Sequence, residues 1–429
     1  MGGCPGAVVK MGEVKNWAGN VSYSTARILR PRSVEEAQEL IAGAETVRPL
    51  GTRHSFSLVA DAAGMLLSTE HLDRIVAIGE TTVTVEAGIR YGELSNALHD
   101  HGLAVANLAS LPHISVGGAV ATGTHGSGVS NKSLAAAISA LELVCADGSI
   151  RRLSRGDADF DGAVVALGAL GLVARASLDV VPAFELRQYV FEDLPWSAVD
   201  MHLDEILAAG YSVSLFTAWT ERGVDQAWLK TTEEQSAQDS YFGATPATQP
   251  RNPVPGARWE NCTEQLGVPG PSGERLPHFR LGFTPSGGAE LQSEYAVARE
   301  HGAEALRKLR RLGPAISPLL LISEIRTIAA DTLWLSPFYE RDSIAFHFTW
   351  KPLATDVQAV LPRIEAALAP FAARPHWGKL FVASPQELEA VYPKLPAFRQ
   401  LREQLDSSDK FGNAFSTRYV SGEGPQLEM

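Results

Sequence analysis

Apolar and polar positions alternate along this chain with two different periods, and each change of period marks an element. Ala37, Leu40 and Ile41 fall at helical spacing behind Ser33-Val34-Glu35-Glu36. Ser33 suits an N-cap there and Glu36 the third helical position, the two ends of a capping box. Val47 to Leu50 reads as a strand, as does Thr82-Val83-Thr84-Val85 ahead of Gly88. Tyr91 to His101 carries Leu94, Ala97 and Leu98 on one helical face. Ala137 to Ala146 is apolar up to Asp147-Gly148, a hairpin turn before Ile150-Arg151-Arg152-Leu153. This mixture of helices and strands up to Pro182 predicts an α/β or α+β domain.

The texture changes after Pro182. Tyr211 to Trp219 is an aromatic strand, and Gly243 to Pro277 holds too many prolines and glycines for a regular element. Trp259 within it predicts an ordered excursion instead of a flexible linker. Three later segments carry polar residues two apart. In Leu321-Ile322-Ser323-Glu324-Ile325-Arg326-Thr327, Glu324 and Arg326 share a strand face, a pattern that a plain ion pair also gives. In Ile344-Ala345-Phe346-His347-Phe348-Thr349-Trp350, the aromatic residues form one face, and Ala345, His347 and Thr349 the other. Either a solvent-facing edge strand or the wall of a polar pocket fits that split. In Pro375-His376-Trp377-Gly378-Lys379 a lysine follows an aromatic-glycine turn.

Composition narrows the class. With 429 residues the chain is long for one domain, and 45% hydrophobic with 20% charged content is that of a soluble globular protein. The longest nearly apolar run, Ala163 to Ala174, is too short to span a bilayer. No basic stretch followed by an apolar one opens the sequence, so a cytoplasmic location is expected. Cys4, Cys145 and Cys262 are scattered, which argues against a disulfide framework or a metal cluster. A net charge of −12 disfavours nucleic acid and anionic membranes as partners. No segment demands an obligate protein partner.

Two loops carry the candidate chemistry. Val47-Arg48-Pro49-Leu50-Gly51-Thr52-Arg53-His54-Ser55-Phe56 runs from a strand into a glycine turn. Pro112-His113-Ile114-Ser115-Val116-Gly117-Gly118-Ala119-Val120-Ala121-Thr122-Gly123-Thr124-His125-Gly126-Ser127-Gly128 is a second glycine-rich turn. Both offer backbone N–H groups and no bulky acids, which suits a diphosphate. The sequence contains neither G-x-G-x-x-G nor G-x-x-x-x-G-K-[ST], so a Rossmann site and a P-loop are unsupported. Taken alone, the glycines fit tight small-residue packing equally well.

Together the loops resemble the FAD-binding domain of the vanillyl-alcohol-oxidase type of flavoprotein, in which a histidine at the position of His54 is bonded covalently to the flavin. Further stretches make the resemblance closer: Asn107 to Val116, Asn261-Cys262-Thr263-Glu264-Gln265, Gln292-Ser293-Glu294-Tyr295, Glu324-Ile325-Arg326-Thr327 and the His376-Trp377-Gly378-Lys379 turn. Over nearly the whole chain, from about Asn16 to Ala414, the sequence resembles the alditol oxidases of that group, and more distantly the aldonolactone oxidoreductases. Thr52-Arg53 departs from the smaller residues usual before the histidine. The first ten residues have no counterpart, and Met11 fits a native start.

The resemblance implies an α+β, two-domain fold: a PCMH-type FAD-binding domain over 1–182, completed by a C-terminal segment of about 400–429 that includes Asp409 to Asn413, and a substrate-binding cap over 183–399. It implies FAD held by Gly51, Thr52, Arg53, His54 (covalently), Ser55, Phe56, Ser110, Ser115, Gly118, Thr122, Gly123, Thr124, His125, Val173 and His376. Ser110, Gln292, Glu324, Arg326 and Thr349 would bind a polyol, and His347 and Lys379 would be catalytic. His347 is the expected base, because a neutral imidazole is available near pH 7, and Lys379 the stabilising charge. Hydride would pass from the terminal CHOH carbon to flavin N5, and oxygen would return as peroxide past the small Ala109. A lactone or sugar dehydrogenase using a carrier, and a flavin protein that only binds a polyol, are the competing expectations.

Overall fold

Ser33 caps the first helix, Val34–Ala42, with its hydroxyl accepting from the Glu36 N–H at 3.2 Å. The return bond lands one residue early, since the Glu36 carboxylate accepts from the N–H of Arg32. Val34, Ala37 and Ile41 are buried against Val47, Met65 and Leu67, as the helical period requires. The computed structural model describes residues 14–234, 240–283, 290–425 and 427. The first ten residues, and the proposed start at Met11, lie outside them.

Ile28–Leu29, Met65–Ser68 and Val47–Leu50 form a parallel three-stranded sheet in that order. Ile75–Ile78, Thr82–Glu86, Leu172–Asp179, Ile138–Val144 and Ile150–Ser154 make an antiparallel five-stranded one. Asp147-Gly148 turns its last hairpin, with Gly148 at φ +83. The helix Tyr91–Asp100 buries Leu94 and Leu98. Between the two loops that carry the candidate chemistry, packing is close: a Cβ on Gly51 would lie 2.7 Å from Ser115 Oγ and 3.4 Å from Gly118 Cα. Gly126 and Gly128 serve packing alone, against Asn107 and Asn131. The small-residue reading of those two glycines therefore holds.

After Pro182 the chain builds one large antiparallel sheet. Its order is Thr245–Pro246, Glu185–Leu194, Val224–Thr231, Ser212–Thr217, Leu320–Ile328, Ser343–Trp350, Leu291–Ala298 and Arg374–Pro375. Ser343–Trp350 has neighbours on both sides and is buried throughout. That position removes the solvent-facing edge-strand reading of its alternation. Phe346, Phe348 and Trp350 pack on the core face, so His347 and Thr349 point to the opposite one.

The proline-rich excursion is ordered, but Trp259 does not anchor it: that ring is 43% exposed. Side-chain bonds to backbone hold it instead. Gln265 donates to Arg251 O at 2.7 Å and accepts from Arg251 N at 2.8 Å, while Thr263 Oγ1 donates to Pro277 O at 2.8 Å.

The C-terminal segment returns to the first sheet. Val47 N donates to Lys410 O at 2.9 Å, and Phe411 is fully buried beside Val47. Asn413 Nδ2 donates to the carbonyls of Leu58, Val59 and Asp61. Between them lies Arg48, fully buried with no carboxylate partner among the described residues. Its guanidinium donates to Val59 O, Leu167 O and Phe411 O, and burial pushes its pKa down to about 9.

Candidate functional site

One cavity of about 490 Å³ runs from the two N-terminal loops to the polar face of the large sheet. Gly51, Thr52, Arg53, His54, Ser55, Phe56, Ala109, Ser110, Gly118, Thr122, Thr124, His125, Val173 and His376 line one part. Gln292, Glu324, Arg326, His347, Thr349 and Lys379 line the other. Of the expected residues, only Ser115 and Gly123 are outside the wall. Ser115 sits behind Gly51 and Gly118, and Gly123 takes φ +69 with Pro337 packed against it.

His54 lies beside Trp17, its ring stacked at 5.2 Å between centroids. Its Nδ1 is buried and has no hydrogen-bond partner among the described residues, and Ser115 Oγ, behind the cavity wall, is in the same state. Burial, then the neighbouring His113 and Arg90, push its pKa down to about 4. A neutral imidazole with an unengaged ring nitrogen is the form that can act as a nucleophile. Arg53, before it, takes the left-handed conformation at φ +63 and is exposed, so its charge faces outward and its carbonyl accepts from Trp17 N at 2.8 Å. The loops, the cavity and these unpartnered atoms fit a dinucleotide cofactor.

The polar face is fixed by strand register. His347 pairs with Glu294 on one side and with Glu324 on the other, so the three side chains form one row across three strands. Gln292 and Thr349 form the adjacent row. Lys379 comes from the turn after Arg374–Pro375, which is clamped to the same strand by His376 N to Glu294 O at 3.0 Å and Leu380 N to Gln292 O at 2.8 Å. Gly378 O accepts from Phe56 N at 2.7 Å, tying this turn directly to the His54 loop.

Glu294, which the sequence analysis leaves out of the site, is its centre. Its carboxylate meets His125 Nε2 at 3.0 Å, an Arg326 guanidinium nitrogen at 3.0 Å, His347 Nδ1 at 3.3 Å and the Lys379 ammonium. Burial opposes its ionisation, but Lys379, Arg326 and His125 hold the carboxyl well below the usual range. His125 has its other nitrogen on Gly126 O, so both ring nitrogens are engaged within the chain. The period-two pattern held the signal: Glu294 is the next same-face residue after Gln292.

Around this centre, Arg326 donates to Ser110 Oγ at 3.3 Å, and His347 Nε2 lies 3.0 Å from Thr349 Oγ1. Gln292 donates to Glu290 at 2.6 Å. Burial, followed by Lys379, pushes the His347 pKa down to about 4, so the ring is neutral at pH 7. Burial also lowers that of Lys379, against the pull of Glu294. Thr122 spends its hydroxyl on Gly118 O, Ala119 O and Thr124. On the strand face two carboxylates, Glu294 and Glu324, thus meet two cations, Arg326 and Lys379, with Glu290 in the cavity wall beyond Gln292. The face is close to neutral and dense in donors and acceptors.

Known proteins match the chain over most of its length. Residues 25–154 match the family described as "FAD binding domain", and 289–419 match "D-arabinono-1,4-lactone oxidase". The chain is 48% identical over 417 residues to an alditol oxidase of Streptomyces sp. (strain IKD472 / FERM P-14339), covering 95% of this chain and 99% of that one. It is 30% identical over 429 residues to an L-gulono-1,4-lactone dehydrogenase of Mycobacterium tuberculosis, covering 94% and 98%. Cholesterol oxidase from B. sterolicum superposes with a TM-score of 0.78 at 16% identity, over 95% and 96% of the two chains, a likeness of fold.

Proposed function

This chain belongs to the alditol oxidase family of FAD-dependent flavoproteins, and from that premise we propose that it oxidises the terminal hydroxyl of an alditol such as xylitol or sorbitol to the aldose. The observation that carries the reading is the row Glu324, His347 and Glu294 with Lys379 beside it, in the cavity that begins at His54. A near-neutral face of fixed donors and acceptors suits an uncharged substrate with several hydroxyls, each both donor and acceptor. An alcohol lacking one of them leaves a buried polar group unpaired, at roughly 1–3 kcal/mol.

FAD, when bound, accepts the hydride from the substrate carbon and passes the electrons to oxygen. The chain's own residues do the rest. Residues 1–182, with about 400–429 returning to them, hold the cofactor through the loops of Gly51 to Phe56 and Ser115 to His125, and His54 supplies the covalent bond. Residues 183–399 form the cap. Ser110, Gln292, Glu324, Arg326 and Thr349 bind and orient the polyol. His347, neutral because it is buried, accepts the hydroxyl proton, and Lys379 supports the developing alkoxide as a cation partnered by Glu294. The small Ala109, in the cavity wall, leaves room for oxygen, so peroxide is the co-product and no electron-carrier protein is required. Among the described residues no helix is long and apolar enough to cross a membrane.

The test is to mix the purified protein with xylitol without air, follow the yellow flavin absorbance, and then admit air. Bleaching, then recovery of colour with stoichiometric peroxide, is the expected result. Bleaching that air does not reverse would favour the carrier-linked dehydrogenase. No bleaching with any alditol would overturn the substrate assignment.

A further inference from the structure

Beside the substrate face lies a buried chain of hydrogen bonds that the reaction does not use directly, and its His278 is itself part of the cavity wall. Lys230, on the strand Val224–Thr231, is 1% exposed and forms no ion pair with a carboxylate among the described residues. Its ammonium has three N–H groups and meets three acceptors: Leu276 O, Pro277 O at 3.2 Å and His278 Nδ1 at 3.1 Å. Because the ionised Glu324 carboxylate can only accept, the ring proton sits on Nε2, which leaves Nδ1 to accept from Lys230. That nitrogen lies 2.8 Å from Glu324 Oε1. The ring is held edge-on by Phe216 and Trp228, at 5.4 and 5.3 Å between centroids.

The same segment reaches a second residue of the site. His278 N and Phe279 N both donate to Ser110 O, at 3.1 and 3.2 Å. The segment just after the proline-rich excursion therefore holds Glu324 by a side chain and Ser110 by its backbone, within the wall of the same cavity. Oε2 of Glu324 is left to Arg326, 3.6 Å away, and to the cavity.

We propose that Lys230 and His278 are positioning residues for substrate: Lys230 fixes the tautomer of His278, and His278 fixes the Glu324 carboxylate in the orientation that receives a polyol hydroxyl. The proposal rests on Glu324 binding the polyol, as proposed above. It separates binding from chemistry. His278 acts on how well substrate is held, and His347 on how fast it reacts once held.

Steady-state and anaerobic rapid-reaction kinetics on the flavin-loaded protein test this. His278→Leu removes the donor to Glu324 and is expected to raise KM for the alditol about 10- to 100-fold, the effect of one unsatisfied buried partner. The limiting rate of flavin reduction should stay within about 3-fold. His278→Gln restores a donor near the Nε2 position and should recover most of the KM. Lys230→Met, which frees the tautomer, should fall between the two. A purely structural role would lower melting temperature and flavin content in both His278 variants alike, without restoring KM in the glutamine variant. Equal KM values in the leucine and glutamine variants, or a loss confined to the reduction rate, would overturn the proposal. Glu324→Gln is run alongside: if it leaves KM unchanged, the polyol-binding role of Glu324 fails. If it raises KM while His278→Leu does not, only the positioning role fails.

Discussion

Nε2 of His125 lies 3.0 Å from Oε1 of Glu294, and both side chains are almost fully enclosed. The bond joins the glycine-rich loop of the N-terminal half to the centre of the large sheet. Glu294 also offsets Lys379 and Arg326, which would otherwise crowd the cavity with positive charge. Glu294→Gln keeps the shape and removes the charge. Breaking a buried ion cluster from one side costs about 3–5 kcal/mol, so denaturant unfolding of the flavin-loaded variant should show a loss of that order. Wild-type stability would mean that Glu294 is not the counter-charge of the site.

His54 presents an unpartnered buried Nδ1 to the cavity. If it holds FAD covalently, yellow colour stays with wild-type protein through acid precipitation and leaves His54→Ala on the same treatment. Release of flavin from the wild type would show that the histidine binds the cofactor without a bond.

His347→Ala removes the proposed proton acceptor and should slow anaerobic flavin reduction by about 100-fold or more. Near-normal reduction would shift the role to Lys379, which touches both His347 and Glu294.

Burial pushes His278 and His347 down to about 4 from 6.5. Between those values the unfolded chain takes up protons that the folded one refuses, so the stabilisation present above pH 6.5 is lost as pH falls toward 4. Melting temperature should drop over that window, and His278→Gln should flatten part of the slope. A profile with the same slope in both proteins would contradict the assigned burial of the ring.

Much of this architecture was legible because strands impose a strict alternation. The aromatic face of Phe346, Phe348 and Trp350 is enough to send His347 and Thr349 to one wall, and Glu324 and Arg326 follow by the same rule. The same alternation puts Glu294 on the face of Gln292, but its central place comes from register, since the pairing with His347 sets it among four donors. Lys230 and His278 left no local pattern at all. They lie 48 positions apart and meet through the packing of the excursion on the sheet. Trp259 misled for the opposite reason, since an aromatic residue in a loop suggests an anchor, whereas polar side chains bonding to backbone did that work. Ser115 and Gly123 sit in a motif of which Gly118, Thr122, Thr124 and His125 reach the cavity, yet a motif does not say which of its side chains turn inward.

Arg48 bears on how the molecule is made. Its guanidinium rests on carbonyls of Val59, Leu167 and Phe411, the last 363 positions downstream. During synthesis from the N-terminus, the loops that receive FAD are complete long before that final carbonyl leaves the ribosome. Until it does, the interior beside His54's loop carries a cation short of an acceptor, a state that favours openness over closure. The packing beside the His54 loop is thus completed only when the far end of the chain is in place, so the two ends of the sequence share one interior.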